Sequence, residues 1–127
     1  VSYYVAEPLI ALLAKGQLDP PQARVLTAYA SDVQAVVNVE RMPERRREAQ
    51  ERSTTFRQDA QHARQRVEQA DAAMGDSARR IVRRIVCNGE SPLYAATALK
   101  TTVIQAIAAL AWAGQAITPI YREAADA

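Results

Sequence analysis

Three observations predict an all-α fold for this 127-residue chain. Alanine, the residue of highest helix propensity, dominates the apolar set, while aromatics are only 6% of the chain. No stretch alternates apolar with polar residues as a half-buried strand would. Apolar residues recur instead at three- and four-residue spacings, in segments bounded by glycine, proline and capping side chains. Apolar residues make up 49% of the chain, enough for one domain with its own core. The expected architecture is a helical domain with a long central helix and a C-terminal three-helix unit. Its parts are an N-terminal helical pair at 1–40, a charged connector at 41–75 and a module at 76–127.

The first helix is expected over 6–14 and is stopped by Gly16. Asp19 followed by Pro20 and Pro21 marks the next start: a capping carboxylate, then proline where no N–H is missed. This second helix should run to about Val39, with Val25, Leu26, Tyr29, Val33, Val36 and Val37 on one face.

Residues 40–53 are a charge run with little to bury. Pro43 can open a helix there, and Glu44 and Glu48 can pair with Arg47 and Arg52. Arg45, Arg46 and Arg47 fit either a solvated connector or a phosphate contact, although the interleaved glutamates weaken their field. Beyond them, Phe56, Ala60, Ala63, Val67, Ala70 and Met74 form a heptad seam, which Ala49 extends backwards. So narrow and alanine-rich a stripe predicts packing within the chain or a modest homodimer contact. Glu68 and Asp71 are read as surface charges.

Gly75 and Asp76 restart the chain, with Asp76 as an N-cap for a helix to about Asn88. Ile81, Val82, Ile85 and Val86 should face inward, leaving Arg79, Arg80, Arg83 and Arg84 on the opposite side. Gly89 ends this helix, and Ser91 with Pro92 opens a short one reaching Leu99. A tight turn at Lys100 then leads to Thr101 or Thr102, either able to cap a third helix. Val103, Ile104, Ile107, Leu110 and Ile117 are expected inward on it, with Pro119 ending it near Tyr121.

Helix, glycine-containing turn, short helix, tight turn and longer helix is the layout of a helix-turn-helix. Its third helix would enter a major groove by its N-terminal end, exposing Lys100, Thr101, Thr102, Gln105 and Ala106. Threonine and glutamine can read base edges, and the four arginines would hold the backbone of double-stranded DNA. Charge distribution agrees. Residues 1–40 sum to −2, 41–75 to +2 and 76–100 to +3, although the whole chain carries only +2.

From Ser77 to Ala113, SARRIVRRIVCNGESPLYAATALKTTVIQAIAALAWA resembles the region-4 helix-turn-helix of sigma factors. Almost the whole chain is similar to an alphaproteobacterial, phage-related helical domain family carrying such a module. The matching residues are Pro8, Leu9, Leu12, Gly16, Leu18, Asp19, Gln22, Ala23, Asp32, Arg64, Arg66, Val67, Gly75, Cys87, Gly89 and Tyr121. Their order and spacing carry the likeness, and no single motif does. The resemblance implies a DNA-binding transcriptional regulator, with RNA polymerase or another regulator as a further partner. Two departures bear on it. Lysine stands at 100 where the sigma pattern has glycine, so Lys100 is expected at positive φ, at a cost of about 1 kcal/mol. The reading helix also has no basic residue before Arg122, which keeps open a protein-binding adaptor or anti-regulator built on the same helices.

Enzymatic chemistry finds no support. His62 lies on a charged helix, and there is no nucleophile elbow, phosphate loop, metal-ligand spacing or dinucleotide fingerprint. No cofactor or metal is expected. Cys87, the only cysteine, reads as a buried thiol and excludes an intrachain disulfide. Tyr94 and Trp112 read as core or interface residues. The N-terminal apolar run is broken by Glu7 and Pro8 and lacks basic residues, unlike a signal peptide. Residues 101–121 carry no charge, but their glutamines, threonines and Pro119 favour a buried helix over a membrane span. A cytoplasmic protein is expected.

Overall fold

The computed structural model describes residues 7–127, and every regular element within them is helical. The elements are α1 (Glu7–Ala14), α2 (Pro20–Arg41), α3 (Glu44–Glu51) and α4 (Thr54–Val82), followed by a π-helical turn (Arg83–Cys87). Then come α5 (Pro92–Ala98), α6 (Val103–Ile117) and α7 (Arg122–Ala125). The expected start of the first helix at residue 6, and most of the N-terminal apolar run, lie outside the described residues.

Local chemistry explains the boundaries. Pro20 and Pro21 open α2, and the Asp19 N–H donates to Gln22 Oε1 at 3.1 Å, half of a capping box. Ser53 caps α4 by accepting from the Phe56 N–H. Inside α4, Gly75 takes φ 76° and ψ 170°, so the helix is interrupted and changes direction there. After the break the arginine-bearing segment continues into the π-helical turn, where the Asn88 N–H reaches the Arg83 carbonyl at 3.0 Å. The expected single helix to about Asn88 is therefore α-helical only to Val82 and π-helical beyond it.

α4 lies along α2, and α6 packs against both. One buried cluster extends from Leu9 on α1 to Ala125 on α7, with Tyr29, Leu26, Ile85, Leu110 and Ile117 fully enclosed. Of the second-helix face predicted inward, Val25, Leu26, Tyr29 and Val33 are buried, and Val36 and Val37 are partly covered. Ala63, Val67, Ala70 and Met74 of the seam are buried within the monomer, and Phe56 and Ala60 are partly covered. Ala49 does not extend the seam: α3 ends before α4 begins, and Ala49 sits exposed on α3.

The third helix of the module buries Leu110 and Ile117 and partly covers Val103 and Ile107, as predicted, but two positions are exchanged. Ile104, expected inward, is 81% exposed, whereas Ala106, expected outward, is fully buried. The inward face is Ala106, Leu110, Ala113, Gly114 and Ile117. Small residues face inward because α6 runs close to α2. A Cβ on Gly114 would stand 3.0 Å from Gln22 Cβ, so bulk at this contact is excluded. The C-terminus is fastened by Arg24, which donates to the carbonyls of Ala124 and Ala125, both at 2.9 Å.

Candidate nucleic-acid interface

The turn between α5 and α6 is built by helix-ending chemistry. Ser91 caps α5 by accepting from the Tyr94 N–H at 3.1 Å, and Pro92 occupies its first turn. At the other end the Lys100 N–H bonds the Thr97 carbonyl and the Thr101 N–H bonds the Ala96 carbonyl. This is the Schellman pattern, which needs a left-handed residue at its centre. Lys100 supplies it at φ 57° and is the one positive-φ residue other than glycine among those described. Thr102 then caps α6 by accepting from the Gln105 N–H at 3.1 Å. Gln105 Oε1 in return accepts from the Thr101 hydroxyl at 2.6 Å and, more weakly, from the Thr102 N–H at 3.5 Å. The two helices meet at 104°, within the range of helix-turn-helix units.

Lys100, Thr102 and Gln105 are exposed at the N-terminal end of α6, and Thr101 is half-buried beside them. The geometry therefore brings four of the predicted DNA-contacting residues to one turn. Since Gln105 Oε1 is engaged in capping, its Nε2 is the part still free to donate.

The arginines do not form one uniform face. Arg83 is drawn inward across the Gly75 break: Nη2 meets Asp71 Oδ2 at 3.0 Å and Nε donates to the Tyr29 hydroxyl at 2.8 Å. Arg84 Nη1 contacts both carboxylate oxygens of Glu90, at 2.9 and 3.3 Å. Arg79 makes a solvent-exposed pair with Asp76 at 3.3 Å. Arg80 is exposed and has no carboxylate partner among the described residues.

Two parallel polar clusters support this framework, and the sequence reading did not find them. Tyr29 donates to Asp71 and accepts from Arg83. Tyr121 donates to Asp32 at 2.8 Å, and Arg66 grips the same carboxylate with two bonds of 2.7 and 2.9 Å. The two rings meet edge to face. Burial, reinforced by the hydrogen bond to an aspartate, raises both phenol pKa values well above the ordinary one. The bond to Asp32 holds the Arg66 charge more firmly than usual, against the cost of burial. Burial opposes the charge of Arg83, but Tyr29 and Asp71 together outweigh it and raise its pKa. Asp71 is thus a bonded, partly enclosed group rather than a surface charge. The available signal was its place between Val67 and Met74, on the seam's own face.

Cys87 is mostly enclosed, and burial pushes its thiol up to about 11, which keeps it protonated and unreactive at neutral pH. Tyr94 and Trp112 are not core residues: they are 63% and 52% exposed, alongside Leu93 on α5 and Ile104 on α6. Among the described residues no cluster of histidine, cysteine or carboxylate could hold a metal ion. No single helix there is long and apolar enough to cross a membrane, and α5 with α6 reaches that composition only as a sharply bent pair. Compared with protein-family models, with curated proteins and with solved structures, the chain matches none.

Proposed function

We propose that this protein binds double-stranded DNA through α5 and α6 as a non-enzymatic transcriptional regulator of phage or mobile-element type. The observation that carries this reading is the 104° helix pair closed by a left-handed Lys100, which leaves the N-terminal end of α6 exposed. Thr101, Thr102 and Gln105 would meet base edges, while Lys100 and the arginines at 79, 80 and 84 would approach phosphates. Likeness to sigma region 4 adds RNA polymerase, or another regulator, as a protein partner. A gel shift of genomic fragments at two salt concentrations tests it. Complexes should form at low salt and weaken steeply as salt rises, because phosphate neutralisation releases counterions. No complex with any duplex at low salt would overturn it.

A second reading, a protein-binding adaptor or anti-regulator, is favoured by a different observation. Ile104 and Trp112 project 81% and 52% exposed from α6, a helix without a single charge. Ile104, Ala108 and Trp112 share one stripe at four-residue spacing. On this reading Ile104→Lys with Trp112→Lys abolishes capture of a protein partner, and DNA binding is weak and blind to sequence.

A further inference from the structure

We infer that Arg80 and Arg84 form a phosphate-binding site that the free protein closes with its own carboxylate, Glu90. The inference rests on the duplex-DNA reading above and names where one backbone phosphate sits and what competes for the place.

The guanidinium groups of this segment differ in what already holds them. Arg83 is held by Tyr29 and Asp71 across the break at Gly75, so its role is to fix the module on α2. Arg84 is different. Its partner is on the short turn just before α5, and the two residues are already joined through the backbone, where the Glu90 N–H donates to the Arg84 carbonyl at 3.0 Å. That bond keeps the turn in place when the side chains part. The side-chain contact uses one nitrogen against both carboxylate oxygens, leaving further N–H donors of Arg84 unused. A carboxylate there satisfies part of what a phosphate would satisfy, with fewer oxygens and less charge.

Arg80 lies four residues earlier, roughly one helical turn, and is exposed with no partner of its own among the described residues. It can receive a phosphate without giving anything up. Arg84, about one-third exposed, joins it only when Glu90 is displaced or neutral. Glu90 therefore sets how many phosphates the module neutralises, and so both its affinity and its dependence on salt.

The test uses the full chain and duplex fragments, with affinity measured by fluorescence anisotropy over a range of salt concentrations. Glu90→Gln should bind roughly three- to tenfold more tightly at low salt. Its plot of log affinity against log salt should steepen by about 0.9, the signature of one more phosphate. Arg84→Gln added to Glu90→Gln should remove that gain. Asp59→Asn takes the same charge from an exposed carboxylate that pairs with no arginine, and should leave the slope unchanged. Binding by the wild type with an unaltered slope in Glu90→Gln would overturn the inference and leave the DNA reading standing. Equal steepening in Asp59→Asn would overturn it too, by assigning the effect to net charge. If neither wild type nor Glu90→Gln binds any duplex, the DNA reading falls and this inference with it. Far-UV circular dichroism of each variant confirms that the helices are intact.

Discussion

The guanidinium carbon of Arg83 stands 5.5 Å from the centre of the Tyr29 ring, while its Nε binds that residue's hydroxyl at 2.8 Å. Face and edge of one tyrosine are thus used by one arginine, and Asp71 completes the contact. These bonds link α2 to the segment after Gly75, so they fix how the unit of α5 and α6 is carried. Tyr29→Phe should lower stability by about 1–2 kcal/mol, because Arg83 and Asp71 each lose a partner in a partly enclosed site. Urea unfolding measures it, and an unchanged midpoint would show the contact to be idle. Arg83→Glu should cost more than Tyr29→Phe, since it sets a second carboxylate against Asp71. Loss of DNA binding in that variant would therefore report on folding.

Val67 is buried on the α4 seam within a single chain. Val67→Glu should lower stability by about 2–4 kcal/mol through an unpaired charge in an apolar contact. Mass by light scattering should not change, because the seam is covered by the chain's own helices. A fall in mass would mean that the seam also joins two copies.

Stability should fall in alkali. Both phenols have folded pKa values above the ordinary 10.0, and the Cys87 thiol is raised from 9.0 to about 11. A group raised on folding stabilises fully below its unfolded pKa and loses that contribution as pH climbs toward its folded one. The melting temperature should therefore be insensitive to these groups up to about pH 8 and drop from about pH 9 upward. Tyr121→Phe should show a shallower alkaline drop than wild type. Parallel curves for the two would refute the assignment.

Gln105 serves two purposes under the DNA reading. Gln105→Ala should flatten discrimination among DNA sites by about 1–3 kcal/mol while the salt slope stays constant. It should also cost about 0.5–1 kcal/mol of stability, since its carbonyl accepts from Thr101 and Thr102 at the start of α6. Competition between cognate and scrambled duplexes reads the first effect and thermal melting the second. Intact discrimination would remove Gln105 from the reading surface.

Helix starts and stops were legible because their signals are local: Asp19 before two prolines, Ser91 before Pro92, and Gly16 and Gly89 after apolar runs. The left-handed Lys100 was legible only through the resemblance, since nothing in lysine itself requests that conformation. On α6, equating bulk with burial places Leu110 and Ile117 inside as the structure does, but also Ile104, which is exposed. At a close crossing the buried side chains are the small ones, Ala106, Ala113 and Gly114. The arginine pairings were hidden for another reason. Glu90 is near Arg84 in sequence, but Tyr29 reaches Arg83 across 54 positions, and pattern reading does not see such separations.

Buried or partly covered positions advance by four, three, four, three and four residues from Phe56 to Met74, then by four to Ala78, three to Ile81 and four to Ile85 in the π-helical turn. A strict heptad would have placed Ser77 inward, but Ala78 is buried instead, and Gly75, at positive φ, falls just before this shift. The break and the one-residue shift of the buried face therefore coincide. Deleting Gly75 would bring the two stretches into one phase and favour an unbroken rod. α5 and α6 would then be carried away from α2, even though every side chain that builds their turn remained.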